Sequence, residues 1–166
     1  MSEAAAEPVK SIVTPVRCEY TFTVSGAAAR FLDEISKGRI IGNRCPSCHK
    51  VYVPARGVCA RCGVETGEEV EVQQTGTVTT FCVVRVPSDN IDLTLPYVAA
   101  HILLDGADIP FFSLVQEVDV ENVRMGMRVE AVWAPREEWG TTFANIRYFK
   151  PLDEPDVPYE QFKEHL

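Results

Sequence analysis

Nowhere in this 166-residue chain do about eighteen apolar residues run together, so it offers no candidate for a membrane-spanning helix. No basic region followed by an apolar core opens it. The first residues, Met1-Ser2-Glu3-Ala4-Ala5-Ala6-Glu7-Pro8, are acidic and alanine-rich, and the expectation is a cytoplasmic protein without a secretory signal. Neither Gly-x-Gly-x-x-Gly nor a glycine-rich loop ending in Lys-Ser/Thr occurs, which removes the usual dinucleotide and nucleoside-triphosphate fingerprints. Histidine is scarce, with three in all, so candidate general bases are few. No internal repeat or low-complexity tract is visible. What remains is ordinary: 46% hydrophobic and 24% charged residues, which excludes a disordered or collagen-like chain. The length allows one domain, or one with a small appendage.

Charge is unevenly placed. The chain carries 16 basic and 24 acidic residues, a net charge of −8. Residues 1–83 hold nine of each sign, so residues 84–166 supply the whole excess. Residues 37–63 contain Lys37, Arg39, Arg44, Lys50, Arg56 and Arg61 and no acid. Six solvated cations could simply keep a small module soluble, or they could form an anion site.

Period-two alternation predicts a strand from Cys18 to Val24. Ser25 or Gly26 then reads as the N-cap of a helix over Ala27–Ser36, whose Ala28, Phe31, Leu32 and Ile35 form one apolar stripe ended by Gly38. Val70–Val86 reads as one long strand, with Gly76 marking a bulge or bend. Further strands are predicted at Tyr97–Leu104, Ile109–Gln116, Met127–Ala134 and Thr141–Phe149, with Asp105-Gly106 as a hairpin turn and one short helical turn within 117–126. Five strands, the first long and bent, suit a small closed barrel of the oligonucleotide/oligosaccharide-binding (OB) type; a β-sandwich is the alternative. Pro151, Pro155 and Pro158 keep the segment 151–166 out of a sheet interior, so it should lie over a surface, its own or a partner's.

Six cysteines in a chain with no evident export route point to metal rather than disulfides. Cys45-Pro46-Ser47-Cys48 and Cys59-Ala60-Arg61-Cys62 are two Cys-x-x-Cys pairs separated by ten residues, enough for a hairpin that brings four thiolates onto one ion. A redox pair would need one such motif in a βαβ context. Iron is the alternative to zinc, and zinc is preferred because nothing suggests an electron-transfer partner. Four cysteines leave no open coordination position, so the ion is structural. A ribbon this small has little core, and such sites supply about 10–16 kcal/mol of apparent folding free energy. Arg44, Lys50 and Arg61 lie beside ligands, where cations could also offset thiolate charge.

Catalytic constellations are missing. Cys18 and Cys82 fall in predicted strands and read as small buried hydrophobes. His49 sits in a metal knuckle and His165 near residue 166. His101, on a strand, could border the barrel interior, a pocket or a partner surface, but no Ser or Cys nucleophile has an evident place beside it. Asp89, Asp92, Asp105 and Asp108 fit turn chemistry.

Arg44-Cys45-Pro46-Ser47-Cys48, Val53-Pro54-Ala55-Arg56, Cys59-Ala60-Arg61-Cys62-Gly63, Gly76-Thr77-Val78, Pro96-Tyr97-Val98-Ala99, Leu103-Leu104-Asp105-Gly106 and Met125-Gly126-Met127-Arg128-Val129 follow one another in order. Over roughly residues 26–150 the chain resembles a family of zinc-ribbon plus OB-fold proteins associated with acyl-CoA metabolism and long known only as a domain of unknown function. The resemblance implies a mainly β protein: tail and strand over 1–25, helix over 26–38, rubredoxin-like zinc ribbon over 39–69, five-stranded OB barrel over 70–150 and tail over 151–166. It implies structural zinc on Cys45, Cys48, Cys59 and Cys62. It also implies a non-catalytic subunit that stabilises a thiolase-fold partner in a hetero-oligomer such as a heterotetramer. Such a subunit helps form the entrance for coenzyme A and a bulky, for example aromatic, 3-oxoacyl chain. Accessory roles beside a steroid side-chain aldolase or an acyl-CoA hydratase are the alternatives. Arg44, Lys50, Arg56 and Arg61 are the candidate coenzyme A contacts. Single-stranded nucleic-acid binding is a competing reading for an OB barrel with a ribbon, though the barrel half carries the negative charge. His49 stands where such knuckles commonly carry Gly, which implies a strained backbone or a tuned metal site.

Overall fold

Ser25 fixes the start of the only α-helix among the described residues. Its backbone is extended, and its hydroxyl accepts from the Ala28 N–H at 3.3 Å, satisfying a donor that the first turn leaves free. The computed structural model describes residues 11–14, 18–88 and 91–166. Helix α1 (Gly26–Ile35) buries Phe31 and Ile35 completely. Gly38, at φ 82°, turns the chain away after it. Glu34 is also buried, 1% exposed, and is held by Lys37 (2.9 Å), Arg30 (3.2 Å) and Arg39. The Lys37 hydrogen bond, helped by Arg39, outweighs the burial cost and holds the Glu34 carboxyl below its usual range.

The strand predicted over Cys18–Val24 is not formed. The segment joins no β-ladder among the described residues and is exposed, with Tyr20 78% and Phe22 69% accessible. Alternation supplies a face but not a neighbouring strand, and among the described residues no strand lies opposite it. Cys18 is therefore exposed rather than buried.

A small antiparallel sheet follows, ordered β2-β1-β3: β1 (Ile41–Arg44), β2 (Val51–Tyr52) and β3 (Glu68–Glu71). Its register sets Asn43 opposite Tyr52 and Ile41 opposite Glu71. The long strand predicted from Val70 is thus two strands. Val72 is buried and donates to the Ile40 carbonyl at 3.0 Å, and the chain then leaves the ribbon sheet for β4 (Thr75–Val84). Gly76 does not make the bulge, which falls between Val78 and Thr80. A Cβ at Gly76 would meet the Leu103 carbonyl oxygen at 2.6 Å, so glycine is needed for close strand approach.

Strands β4, β5 (Tyr97–Leu104), β6 (Phe111–Val115), β7 (Arg128–Trp133) and β8 (Ile146–Pro151) close a barrel in the order β4-β5-β6-β8-β7. The five-stranded OB barrel expected from the sequence is present, with a 3-10 turn at Val120–Asn122 between β6 and β7. Val78, Ile102, Leu104, Val129 and Phe149 fill its interior. Phe31 and Ile35 of the helix and Ile40, Val51 and Val53 of the ribbon belong to the same hydrophobic cluster. Burial of each such side chain contributes about 1.5–3 kcal/mol, so helix, ribbon and barrel hold one another in place.

Residues 152–166 lie over this chain's own surface. Leu152 and Val157 donate to the carbonyls of Arg128 and Gly126 at 2.9 and 2.8 Å. Arg128 pairs with Glu154 and Arg124 with Asp156. Phe162 is 2% exposed, and His165 Nδ1 lies 2.7 Å from the Asp108 carbonyl oxygen. Among the described residues no helix is long and apolar enough to cross a membrane.

Candidate functional site

The two cysteine pairs occupy matching turns. In the first, which follows β1, Cys45 N donates to the Lys50 carbonyl at 2.9 Å and His49 N to the Cys45 carbonyl at 3.0 Å. In the second, Cys59 N donates to the Val64 carbonyl and Gly63 N to the Cys59 carbonyl, both at 2.9 Å. His49 and Gly63 hold equivalent left-handed positions, at φ 61° and 69°. The departure noted in the sequence is thus a real conformational cost, of about 1–2 kcal/mol for an L-residue.

These turns bring one sulfur from each of Cys45, Cys48, Cys59 and Cys62 within 4.8 Å of one another. The Cys48 and Cys59 sulfurs are 3.7 Å apart. Ser47 and Cys48 N–H groups approach the Cys45 sulfur at 3.4 Å, and Cys62 N–H approaches the Cys59 sulfur at 3.3 Å. Four soft donors with N–H groups aimed at the sulfurs fit a tetrahedral thiolate-bound metal. The metal supplies the cross-link that a ribbon of this size cannot build from apolar contacts.

The thiols are not equivalent. The Tyr52 hydroxyl lies 3.2 Å from the Cys59 sulfur. That hydrogen bond is the largest influence on Cys59, and with the Cys62 and Arg61 backbone N–H groups it overcomes desolvation and lowers the pKa to about 6. At Cys48 the Lys50 backbone N–H acts downwards, but desolvation and the three neighbouring sulfurs push the thiol up to about 11. Tyr52 itself is 2% exposed, and its own hydroxyl is raised, chiefly by the bond to Cys59. Tyr52 was not picked out in the sequence. Its only signal there was an aromatic residue between Val51 and Val53, just after the first knuckle.

Folding redistributes the six cations of residues 37–63. Lys37 and Arg39 go to Glu34, and Arg39 also approaches Glu71 at 3.6 Å. Arg44 pairs with Glu68 of β3 at 3.0 Å. Lys50 lies 3.8 Å from Asp108, whose other oxygen accepts from Val51 N at 2.8 Å. Arg56 and Arg61 are exposed and without an ion pair among the described residues, and the Arg56 guanidinium lies 5.7 Å from the centre of the Tyr52 ring. What touches the sulfurs is backbone N–H and the Tyr52 hydroxyl, not these cations.

Lys50, Arg56 and Arg61 share one groove of about 550 Å³ between ribbon, barrel and the segment 164–166; Arg44 is not part of its lining. His101, Asp108, Ile109 and Pro110 line the same groove, as do Glu164 and His165. Asp108 and His165, 57 positions apart, meet here, which no local pattern announces. His101 thus borders a pocket, not the barrel interior. Its Nδ1 lies 3.2 Å from Thr80 Oγ1. The groove lining contains no serine, threonine or cysteine. Cys82, expected to be buried, is exposed on the outer face of β4, while its neighbours Phe81 and Val83 pack on the core.

The comparisons agree with this architecture. The rubredoxin-like zinc ribbon domain of ChsH2 matches residues 33–66, and the C-terminal OB-fold domain of ChsH2 matches residues 69–134. A DUF35 domain-containing scaffold protein of Methanocaldococcus jannaschii is 37% identical over 119 residues, covering 69% of this chain and 82% of that protein. The chain belongs to the DUF35 family. A second DUF35 domain-containing scaffold protein, from Methanothermobacter thermautotrophicus, is 28% identical over 103 residues, 61% of this chain and 76% of the relative. Among solved structures, a chain of the Ltp2-ChsH2(DUF35) aldolase superposes with a TM-score of 0.58 at 20% identity, over 79% of this DUF35 chain and 98% of that one. A Sulfolobus solfataricus DUF35 protein of unknown function gives 0.56 at 19% identity, over 76% and 84%. Likeness at this identity shows the ribbon-plus-barrel fold.

Proposed function

We propose that this DUF35 chain is a non-catalytic scaffold subunit of a thiolase-type acyl-CoA complex. In this reading it stabilises a thiolase-fold partner that cleaves or forms a carbon–carbon bond in a bulky 3-oxoacyl-CoA. The observation that carries it is the groove: it gathers Lys50, Arg56 and Arg61, and its lining contains no serine, threonine or cysteine. A surface of this kind can bind the phosphates of coenzyme A and offers no serine, threonine or cysteine for acyl transfer. The cysteine cluster, taken as a closed zinc site, keeps the ribbon folded and leaves no ion position for substrate. The scaffold designation of the archaeal relatives supports an assembly role.

A second reading is favoured by one specific observation, the aldolase to which a structurally similar chain belongs. There the partner would be a carbon–carbon lyase with the same thiolase-like shape, and this chain's role would be unchanged. Co-purification from native extract, with the tag on this chain, tests the proposal. A stoichiometric thiolase-fold companion is expected. Recovery of the chain alone, or with nucleic acid only, would count against it.

A further inference from the structure

The groove has a second face that the anion reading does not use. His101 of β5 and Phe112 of β6 are direct cross-strand partners on the outside of the barrel. Their rings meet edge to face, 5.5 Å between centres and 75° between planes. Thr80 Oγ1, 3.2 Å from His101 Nδ1, steadies the imidazole. Phe112 is nevertheless 66% exposed, a large aromatic surface left in water. His101 lines the groove with the cations; Phe112, in contact with His101, lies outside that lining.

The cations are not equally available. Lys50 is shared with Asp108, whereas Arg56 and Arg61 have no ion pair among the described residues. Asp108 and Glu164 share the lining, so a long polyanion following the groove meets repulsion. A ligand with two clustered phosphates avoids most of it. Planar bases stack on aromatic rings, and guanidinium groups take phosphates. The volume of about 550 Å³ lies within the range of small-molecule sites.

We infer that this groove receives a nucleoside diphosphate moiety, with its phosphates against Arg56 and Arg61 and its base against the His101–Phe112 ring pair. The inference rests on the coenzyme A reading above and adds the residues that recognise the base. His101 and Phe112 then act in specificity, not in catalysis.

The test uses the full chain at low salt, titrated calorimetrically with ADP, with inorganic pyrophosphate and with coenzyme A. ADP should bind more tightly than pyrophosphate, and coenzyme A should compete with it. Phe112→Ala should weaken ADP binding about tenfold and leave pyrophosphate unchanged. Phe112→Trp should retain ADP affinity. Arg56→Ala should weaken both ligands. Phe112 points outwards, so an unchanged melting temperature should accompany these effects. Equal loss of ADP and pyrophosphate in Phe112→Ala, or no loss of ADP, overturns the base platform while leaving the anion site standing. Arg56→Ala without effect on any ligand overturns the anion reading and this inference with it. Failure of coenzyme A to compete, with the ADP pattern intact, sinks the coenzyme A reading alone. Tighter binding of a single-stranded oligonucleotide than of ADP, lost in Phe112→Ala, would assign the surface to nucleic acid instead and overturn the inference.

Discussion

The Tyr52 hydroxyl sits 3.2 Å from the Cys59 sulfur, and together they form a buried link between the sheet of the ribbon and its second cysteine knuckle. A phenol that hydrogen-bonds a metal-bound thiolate both orients it and moderates its charge. Tyr52→Phe keeps the ring, and with it the platform under Arg56, but removes this bond. Zinc loss to a chelator should be about tenfold easier in Tyr52→Phe, with the fold intact when metal is in excess. Unchanged competition curves would show that the hydroxyl has no influence on the site.

His49 and Gly63 make an internal comparison, since they occupy equivalent left-handed positions. His49→Gly should relieve backbone strain and raise stability by up to about 1 kcal/mol, the gain being trimmed by the greater freedom of unfolded glycine. Gly63→Ala should cost about 1 kcal/mol through conformation alone, because open space surrounds the position of the new Cβ. Denaturant midpoints of the metal-loaded proteins decide both.

Metal removal should unfold the ribbon. Plasma emission analysis should find one zinc per chain, and Cys62→Ser should give poorly soluble or partly unfolded protein. One iron per chain with visible absorbance would replace zinc by iron in this account.

Acid should weaken the protein through two carboxylates. Asp105 takes hydrogen bonds from Arg128 at 2.6 and 2.8 Å and from Thr75 at 2.5 Å. Arg128, aided by Thr75, holds Asp105 below its ordinary 3.8, against desolvation. Glu34 is likewise depressed, first by Lys37. Both folded pKa values lie below the unfolded ones, so their stabilisation is present above the unfolded values and is lost as pH falls through the folded ones. Through these two groups, urea midpoints should therefore drop as pH falls below about 4. Asp105→Asn should remove part of that dependence and cost about 1 kcal/mol at pH 7, since Asp105 is partly screened by solvent. A wild-type midpoint that stays constant down to pH 2 would contradict this assignment.

Much of the fold could be read from local pattern. The doubled Cys-x-x-Cys spacing located the four sulfurs, the Phe31–Ile35 stripe located the buried helix face, and Asp105-Gly106 located the β5–β6 hairpin. The failures came where strand pairing or tertiary charge decides. Cys18–Val24 alternates like a strand but pairs with no strand among the described residues. Val70–Val86 looked continuous because a chain passing between two sheets stays apolar through Val72. The acid-free segment 37–63 looked strongly cationic because its partners come from elsewhere: Glu34 from the helix, Glu68 and Glu71 from β3, Asp108 from the β5–β6 connection. Only after those pairings do Arg56 and Arg61 stand out. The groove itself depends on Asp108 and His165 meeting across 57 positions.

The central proposal is that this chain assembles and binds but does not catalyse. It is tested most directly by assaying the metal-loaded chain alone, and then with the proposed thiolase-fold partner, for cleavage of an aromatic 3-oxoacyl-CoA. The account predicts no turnover by the chain alone, turnover on adding the partner, and full activity when the chain in that complex carries Cys82→Ala. Robust turnover by the pure chain, with metal retained and partner excluded, would contradict it.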